Sequence, residues 1–297
     1  MRIALLSRNA KLHSTARIVE AARGRGHEID VIDPIACNVV ISRFQHRLFA
    51  RGREIVGHDV VIPRIGASIT DYGLAVLTHF ERAGVPSVNS TIAIQRSRDK
   101  LRALQYLSAH DVGIPRTAIA RTPEAIRSAV DAVGGTPVII KLLKGTQGVG
   151  VMKADSPEGV ESIIDTLWGL GQNIILQEFI AESRGRDLRA IVIGGELVAA
   201  MRRTAGRKGE FRANLHRGGN GQRAELPAEY ARAALDAARI MGLGVAGVDL
   251  LESKNGPRVI EVNSSPGLRG VERATGIDVA QRIIAHAERL VQRRRTR

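Results

Sequence analysis

Three oxygen-bearing side chains near the C-terminal end have the spacing of a hard-cation site. Asp249 lies in the apolar run VAGVDLL, and Glu261 and Asn263 stand two apart in RVIEVNSSPG. Alternate residues of a strand project from one face and a hairpin partner runs about 5 Å away, so the three can converge. An oxygen-only donor set suits magnesium. A carboxylate within VIEVN is costly to bury alone, and a bound cation relieves that cost. The competing reading is a hairpin whose polar residues face solvent.

A second group lies in KLLKGTQGVGV (141–151), where Lys141 ends an apolar run and Gly145, Gly148 and Gly150 follow. A P-loop places its lysine after the glycines, at the start of a helix. Here the lysine comes first, and the VGVMKA that follows is short and β-branched. The G-x-G-x-x-G spacing is absent as well. Two readings stay open. One is an ordinary glycine hairpin; the other is a flap between antiparallel strands whose backbone N–H groups approach an anion. With Lys100 on a helix and Lys141 on a strand acting as point charges, the flap and the magnesium ligands would form a clamp for a nucleoside triphosphate.

These residues need a scaffold of alternating strands and helices. RIALLS (2–7), a helix near 14–25 and HEIDVID (27–33) open as β-α-β; DVVIPR (59–64), a helix near 70–83 and a strand VPSVN (85–89) continue it. That rhythm predicts an open parallel α/β domain over residues 1–95. Residues 90–110 have the spacing of one helix, capped by Ser90 or Thr91. PRTAIA, a helix after Thr122-Pro123, PVIIKLL, VMKA, a helix near 157–169 and NIILQEFI make a second unit, 96–180. DLRAIVIG, ELVAAMRRT, a helix near 227–241, VAGVDLLES and RVIEVN make a third, 181–297, with the turns IGGEL and SKNGPR favouring antiparallel hairpins. The fold class expected is α/β with α+β character, in three contiguous modules.

With 44% hydrophobic and 25% charged residues, the 297-residue chain has the composition of a globular protein. MRIALLSRN is too quickly interrupted by polar residues for a signal-peptide core and reads as a buried first strand; no membrane span is expected. The single cysteine, Cys37, excludes an internal disulfide and suits a reducing cytoplasm. A net charge of +14 suits polyanionic partners, including a ribosome or an acidic peptide. The basic residues are mostly arginines scattered along the chain, a pattern that coding bias also produces. Aromatics at 3% are too few for base-stacking platforms.

The order and spacing of MRIALLSRN (1–9), VIPRIG (61–66), SRDKLR (97–102), KLLKGTQGVGV (141–151), QEFI (177–180), FRANLHRGG (211–219), AGVDLL (246–251), EVNSSPGL (261–268) and TGID (275–278) resemble the ATP-grasp superfamily, and within it the RimK family. The resemblance covers nearly the whole chain. It implies an ATP-grasp fold behind an N-terminal pre-ATP-grasp domain, with ATP held between two β-rich modules. Glu178, Phe179 and Ile180 would reach the adenine edge and Asp187 the ribose. Arg212, Ala213 and Asn214 would approach the phosphates or magnesium, and Arg203 would serve an acyl-phosphate. Gly145 and Gly148 would close over the nucleotide. Arg269 stands where an acidic residue is expected, and EVNSSPG replaces the family's usual N-A-S-P-G.

The activity implied is attack of a carboxylate on ATP, then displacement of phosphate by an amine. The reading is ligation of L-glutamate to the C-terminal tail of a small-subunit ribosomal protein, with two magnesium ions expected and manganese an acceptable substitute. A cytoplasmic dimer or tetramer, with a basic surface contacting the ribosome, is the expected setting. The rivals are a ligase acting on a carrier protein or cofactor tail, and a ribosome-binding module without turnover.

Overall fold

A computed structural model of the chain describes residues 1–43, 45–143, 150–207, 210–213 and 218–296. Its first sheet is parallel, order β2-β1-β6, from β1 (Arg2–Leu6), β2 (Glu28–Ile32) and β6 (Val60–Pro63), with α1 (His13–Gly24) and α2 (Thr70–Arg82) crossing between and after them. RIALL reads as a continuous apolar run because both faces are covered: Ile3, Ala4, Leu5 and Leu6 are fully buried. Ile3, Leu5, Val60 and Ile62 pack in one core with Ile18 of α1, while Ala4, Leu6 and Val61 pack in another with Leu74, Leu77 and Phe80 of α2. Between β2 and β6 lies an antiparallel insert, β3 (Cys37–Ser42), β4 (Gln45–Ala50) and β5 (Arg53–Glu54), for which the sequence reading placed no element.

Two expectations need correction. VPSVN is not a strand: only Ser87 and Asn89 make isolated bridges, to Val61 and Leu243, and Asn89 instead donates to the carbonyls of Val245 and Ser264 at 2.8 Å. The helix expected over 90–110 is two, α3 (Thr91–Arg98) and α4 (Lys100–Ser108). Asp99 leaves helical geometry (φ −84°, ψ 99°) and its carboxylate accepts from the Arg102 N–H at 3.0 Å, ending one helix and capping the next. Side-chain periodicity continues across such a break, so the hydrophobic pattern alone does not reveal it.

A second sheet, β7-β10-β8-β9, is antiparallel and comprises β7 (Thr117–Ala118), β8 (Val138–Leu142), β9 (Val151–Ala154) and β10 (Ile174–Glu178). Its helices α5 (Glu124–Ala132) and α6 (Pro157–Gly169) cover one face, and Val138, Ile140, Ile174 and Leu176 form with them a core of their own. The third sheet, β13-β12-β11-β14-β15, is antiparallel: β11 (Arg186–Ile193), β12 (Glu196–Thr204), β13 (Asn220–Arg223), β14 (Val245–Ser253) and β15 (Gly256–Asn263). On one face lies α7 (Ala228–Met241); on the other lie α8 (Leu268–Thr275) and α9 (Val279–Arg295).

The C-terminal helices join the first and third sheets. Val279, Ile283 and Ile284 of α9 share one core with Ile3 and Val60 on one side and with Ile191, Met201 and Val245 on the other. Each such buried aliphatic side chain contributes about 1.5–3 kcal/mol relative to exposure.

At the same junction His286 is wedged between two glycines: a Cβ at Gly194 would fall 2.8 Å from its Nδ1, and one at Gly244 2.7 Å from its Nε2. Burial, with Arg289 and Arg293 adding to it and Glu196 opposing, pushes this imidazole down to about 4. Between that value and 6.5 the unfolded chain binds the proton and the folded one does not, so stability rises with pH across this window. Acidification from pH 6.5 to 4 is expected to remove up to about 3 kcal/mol through this group, with no further loss below it. Urea midpoints of the protein and of His286→Gln over this range check it, and parallel slopes would refute the assignment.

Candidate active site

Strand alternation gives the third sheet one face with two halves. Ile191, Ile193, Ala199, Met201 and Val245 make its apolar half, under α8 and α9. Further along the same alternation come Asp187 and Arg189 on β11, Arg203 on β12 and Asp249 on β14, so the charged half is continuous with the core. Arg189 is opposite Asp249 and donates to it through Nε and Nη2 at 2.7 and 2.6 Å. Arg203 is opposite Asp187, donates to it at 2.5 and 2.7 Å, and reaches Asp249 at 2.9 Å. Asp187, Arg203 and Asp249 are each less than 10% exposed, at 6%, 3% and 3%. Burial alone would raise the Asp249 carboxyl; Arg189 and Arg203 outweigh it and hold the group below its usual range. Burial raises Asp187, with Arg203 offsetting only part of the effect.

The proposed ligands share that face. Glu261 pairs directly with Asp249 and Asn263 with Gly247, and a bulge between Asp249 and Leu250 leaves Ile260 as the extra residue of β15. The donor chemistry fits a hard cation: two carboxylates and an amide oxygen, with the Asn263 amide nitrogen buried and without a hydrogen-bond partner. Among the described residues no group of three or more His, Cys, Asp or Glu side chains could hold a metal, in keeping with a set containing only two carboxylates. Asp249 is engaged by two guanidiniums, Arg189 at both oxygens and Arg203 at Oδ2, so a cation placed there would share the carboxylate with them. Arg189 was not anticipated, although its position two residues after Asp187 in RDLR put it on the same strand face.

Lys141 and Gln177 lie on the face of the second sheet turned away from α5 and α6, and the Lys141 ammonium donates to the Gln177 side-chain oxygen. Burial pushes Lys141 down to about 8; Glu261 and Asp249 oppose the shift and Lys100 adds to it. Lys100, first residue of α4, donates from Nζ to the Leu142 carbonyl at 2.9 Å, so the break at Asp99 brings a second cation to the end of β8. Burial lowers Lys100 too, against the pull of Glu261. Both lysines are therefore within electrostatic reach of the proposed metal ligand.

At the end of β10 the Glu178 carboxylate is held by the backbone N–H, Nε and Nη2 of Arg116, all at 3.2 Å. Those bonds outweigh burial and keep Glu178 below its usual range. The side chain is therefore tied to the residue that precedes β7, and Phe179 and Ile180 continue the backbone after it. The Lys153 ammonium sits 5.2 Å from the centre of the Phe179 ring, and Ile180 is buried. Arg212 donates to Glu210 from Nε and Nη2 at 2.9 Å and to the Val151 carbonyl at 3.3 Å, connecting the third module to the strand after the glycine loop; Ala213 is buried beside it. Gly145, Gly148 and Asn214 lie outside the described residues. Gly150 is described: φ is +75°, a Cβ would fall 2.5 Å from Leu142, and its carbonyl accepts from the Leu142 N–H at 2.9 Å.

Comparison with known proteins places these features in a family. Residues 97–287 match the RimK-like ATP-grasp domain and residues 1–94 the RimK pre-ATP-grasp domain. A protein of Aliivibrio fischeri named probable alpha-L-glutamate ligase is 52% identical over 297 residues, covering 100% of this chain and 98% of its own. One of the same name from Hydrogenovibrio crunogenus is 54% identical over 289 residues, covering 97% and 96%. Among solved structures, the ATP-grasp ligase PsnB complexed with a phosphomimetic variant of its minimal precursor, Mg and ADP superposes with a TM-score of 0.74 at 23% identity, covering 97% of this chain and 98% of that one. A RimK domain protein from Sphaerobacter thermophilus gives 0.71 at 23%, covering 97% and 100%. Domain matches across almost the full length, together with relatives at half identity, make this chain a member of the RimK family of ATP-grasp ligases, ATP-dependent enzymes that form amide bonds.

Proposed function

We propose that this enzyme joins L-glutamate to the C-terminal carboxylate of an acidic peptide tail, and that the tail belongs to a small-subunit ribosomal protein. The observation that carries the reading is that Asp249, Glu261 and Asn263 share one face of the sheet, with Lys141 within electrostatic reach of Glu261 and Asp249 and Lys100 within reach of Glu261, in a chain half identical end to end to proteins named alpha-L-glutamate ligases. Lys100 and Lys141 would hold ATP phosphates. Phe179 and Ile180 would receive the adenine, and Arg212 with Ala213 would follow the nucleotide from the third module. Asp249, Glu261 and Asn263 would hold magnesium as two ions, with manganese able to substitute. When bound, that metal neutralises phosphate charge during in-line transfer. The acceptor carboxylate takes the γ-phosphoryl group and releases ADP; the glutamate amine then attacks the acyl carbon, phosphate departs and the amine loses its proton.

This chemistry needs no side-chain nucleophile, which agrees with a buried Cys37 pushed up to about 11, first by burial and then by Asp33. Among the described residues no helix is long and apolar enough to cross a membrane. A cytoplasmic setting and assembly as a dimer or tetramer belong to the same proposal. The net charge of +14 would steer acidic tails and ribosomal surfaces toward the enzyme.

The test is incubation with ATP, magnesium, L-glutamate and purified ribosomal proteins, read by intact mass. Stepwise glutamyl additions to one acidic-tailed protein, with ADP release requiring both glutamate and acceptor, are expected. ADP release that ignores either component would refute the reading.

A further inference from the structure

The carboxyl ends of β1 and β6 open toward the proposed metal site. Arg64 follows Pro63 directly and its N–H donates to the Leu6 carbonyl at 2.8 Å. The Ser265 hydroxyl reaches the Pro63 carbonyl at 3.5 Å, and the Leu268 N–H donates to Ser14 at 3.0 Å, so the turn after β15 lies against this edge. In open parallel sheets, ligands bind outside the carboxyl ends of strands.

Arg64 differs from the other enclosed arginines there. Arg17, Arg189, Arg203 and Arg212 each meet a carboxylate. Arg64 is half-buried, yet its guanidinium makes no hydrogen bond or ion pair among the described residues, and the charge acting on it is a like one, Arg98. Arg98 ends α3, donates to the Ile65 carbonyl and feels Glu261 from a distance. Glu261 in turn acts on Lys100 and Lys141. Burial, with Arg98 adding to it, pushes Arg64 down to about 10. Arg64 has no counter-ion among the described residues and a like charge beside it, an arrangement that is costly when enclosed and that an anionic ligand relieves. In the proposed function the ATP phosphates are assigned to Lys100 and Lys141. A guanidinium fork suits a carboxylate, which it can engage through two parallel bonds.

We propose that Arg64 and Arg98, at the carboxyl end of the first sheet, hold a carboxylate of the incoming amino acid and so present its amine to the acyl-phosphate. This rests on the glutamate-ligase reading. Arg64 acts on substrate position and recognition, and the second module binds nucleotide independently of it.

The experiment compares Arg64→Gln and Arg64→Lys with the parent enzyme, measuring KM for L-glutamate and L-glutamine, ADP affinity and melting temperature with and without glutamate. Loss of one charge-assisted contact corresponds to a rise of about 10- to 100-fold in KM for glutamate for the Gln variant and a smaller one for Lys. ADP affinity should stay within about threefold of the parent, and the melting temperature without ligand should not fall, because no native partner is lost. If the γ-carboxylate is held, the Gln variant loses the preference for glutamate over glutamine; if the α-carboxylate is held, KM rises for both. A KM for glutamate within threefold of the parent, or an equal loss of ADP affinity, would overturn the proposal. Should the parent prove active only with another amino acid, the glutamate reading fails, and the same comparison with that amino acid decides the carboxylate site separately.

Discussion

Glu261→Gln is expected to abolish ADP formation while changing the melting temperature by only a few degrees, whereas Asp249→Ala should lose activity and stability together. Glu261 is half-buried at the rim of the charged face and acts on Lys100, Lys141 and Arg98 through space, so its removal takes away a proposed metal ligand without breaking an ion pair among the described residues. Loss of a metal ligand in a phosphoryl-transfer site corresponds to a fall in kcat of about 10³-fold or more. Asp249 carries the same proposed role and in addition anchors Arg189 and Arg203, both drawn into the sheet. Truncating it leaves two guanidiniums with one remaining acid, Asp187, a loss of the kind that costs about 3–5 kcal/mol. For a chain of this size that is a fall on the order of 10 °C. ADP release and thermal unfolding of the two variants side by side decide the matter. Near-parental turnover in Glu261→Gln would remove the metal site, and an unchanged melting temperature in Asp249→Ala would show the ion network to be energetically idle.

Arg203→Leu should be the most destabilising single change on this face. The side chain is 3% exposed and bridges Asp187 and Asp249. Without it two carboxylates face each other on adjoining strands in a dry environment, with only Arg189 nearby. One can escape by taking up a proton, and the cost remains about 3–5 kcal/mol at neutral pH. Arg203→Lys keeps the charge but not the fork, so it should recover part of the loss. Asp187→Asn in the Arg203→Leu background removes one of the unpaired acids, and the pair of changes should therefore cost less than the sum of the singles. Denaturant midpoints for the four proteins test this; strict additivity, or an Arg203→Leu midpoint equal to the parent's, would mean that these groups are not coupled.

Stability and chemistry converge on the same atoms. Arg189 and Arg203 hold both oxygens of Asp249, so a cation bound there as proposed would have to share that carboxylate with them. Burial makes that sharing consequential, because electrostatic interactions in the dry half of the sheet are stronger than at the surface. The second sheet has a core of its own, from Ala120 to Leu176, whereas the first and third share one through α9.

Much of this protein can be derived from local chemistry in its chain. Two-residue alternation in VIEVN and VAGVDLL placed Asp249, Glu261 and Asn263 on one face, because side-chain direction in a strand is set by backbone geometry within a few residues. The apolar RIALL predicted a buried first strand, and the IGGEL and SKNGPR turns predicted antiparallel neighbours for the same reason. Tertiary structure decided what those directions meet. That Arg189 and Arg203 converge on Asp249, that Arg116 holds Glu178 across 62 positions, and that Arg64 has another cation for its neighbour depend on register between strands and on packing between modules. The helix break at Asp99 belongs with them, since a capping aspartate prevails over continuous helical periodicity only where the chain must turn to bring Lys100 to Leu142. Pairwise charge interactions act over ångströms in space and take no account of separation along the chain, and that is the physical reason they were not legible until it folded.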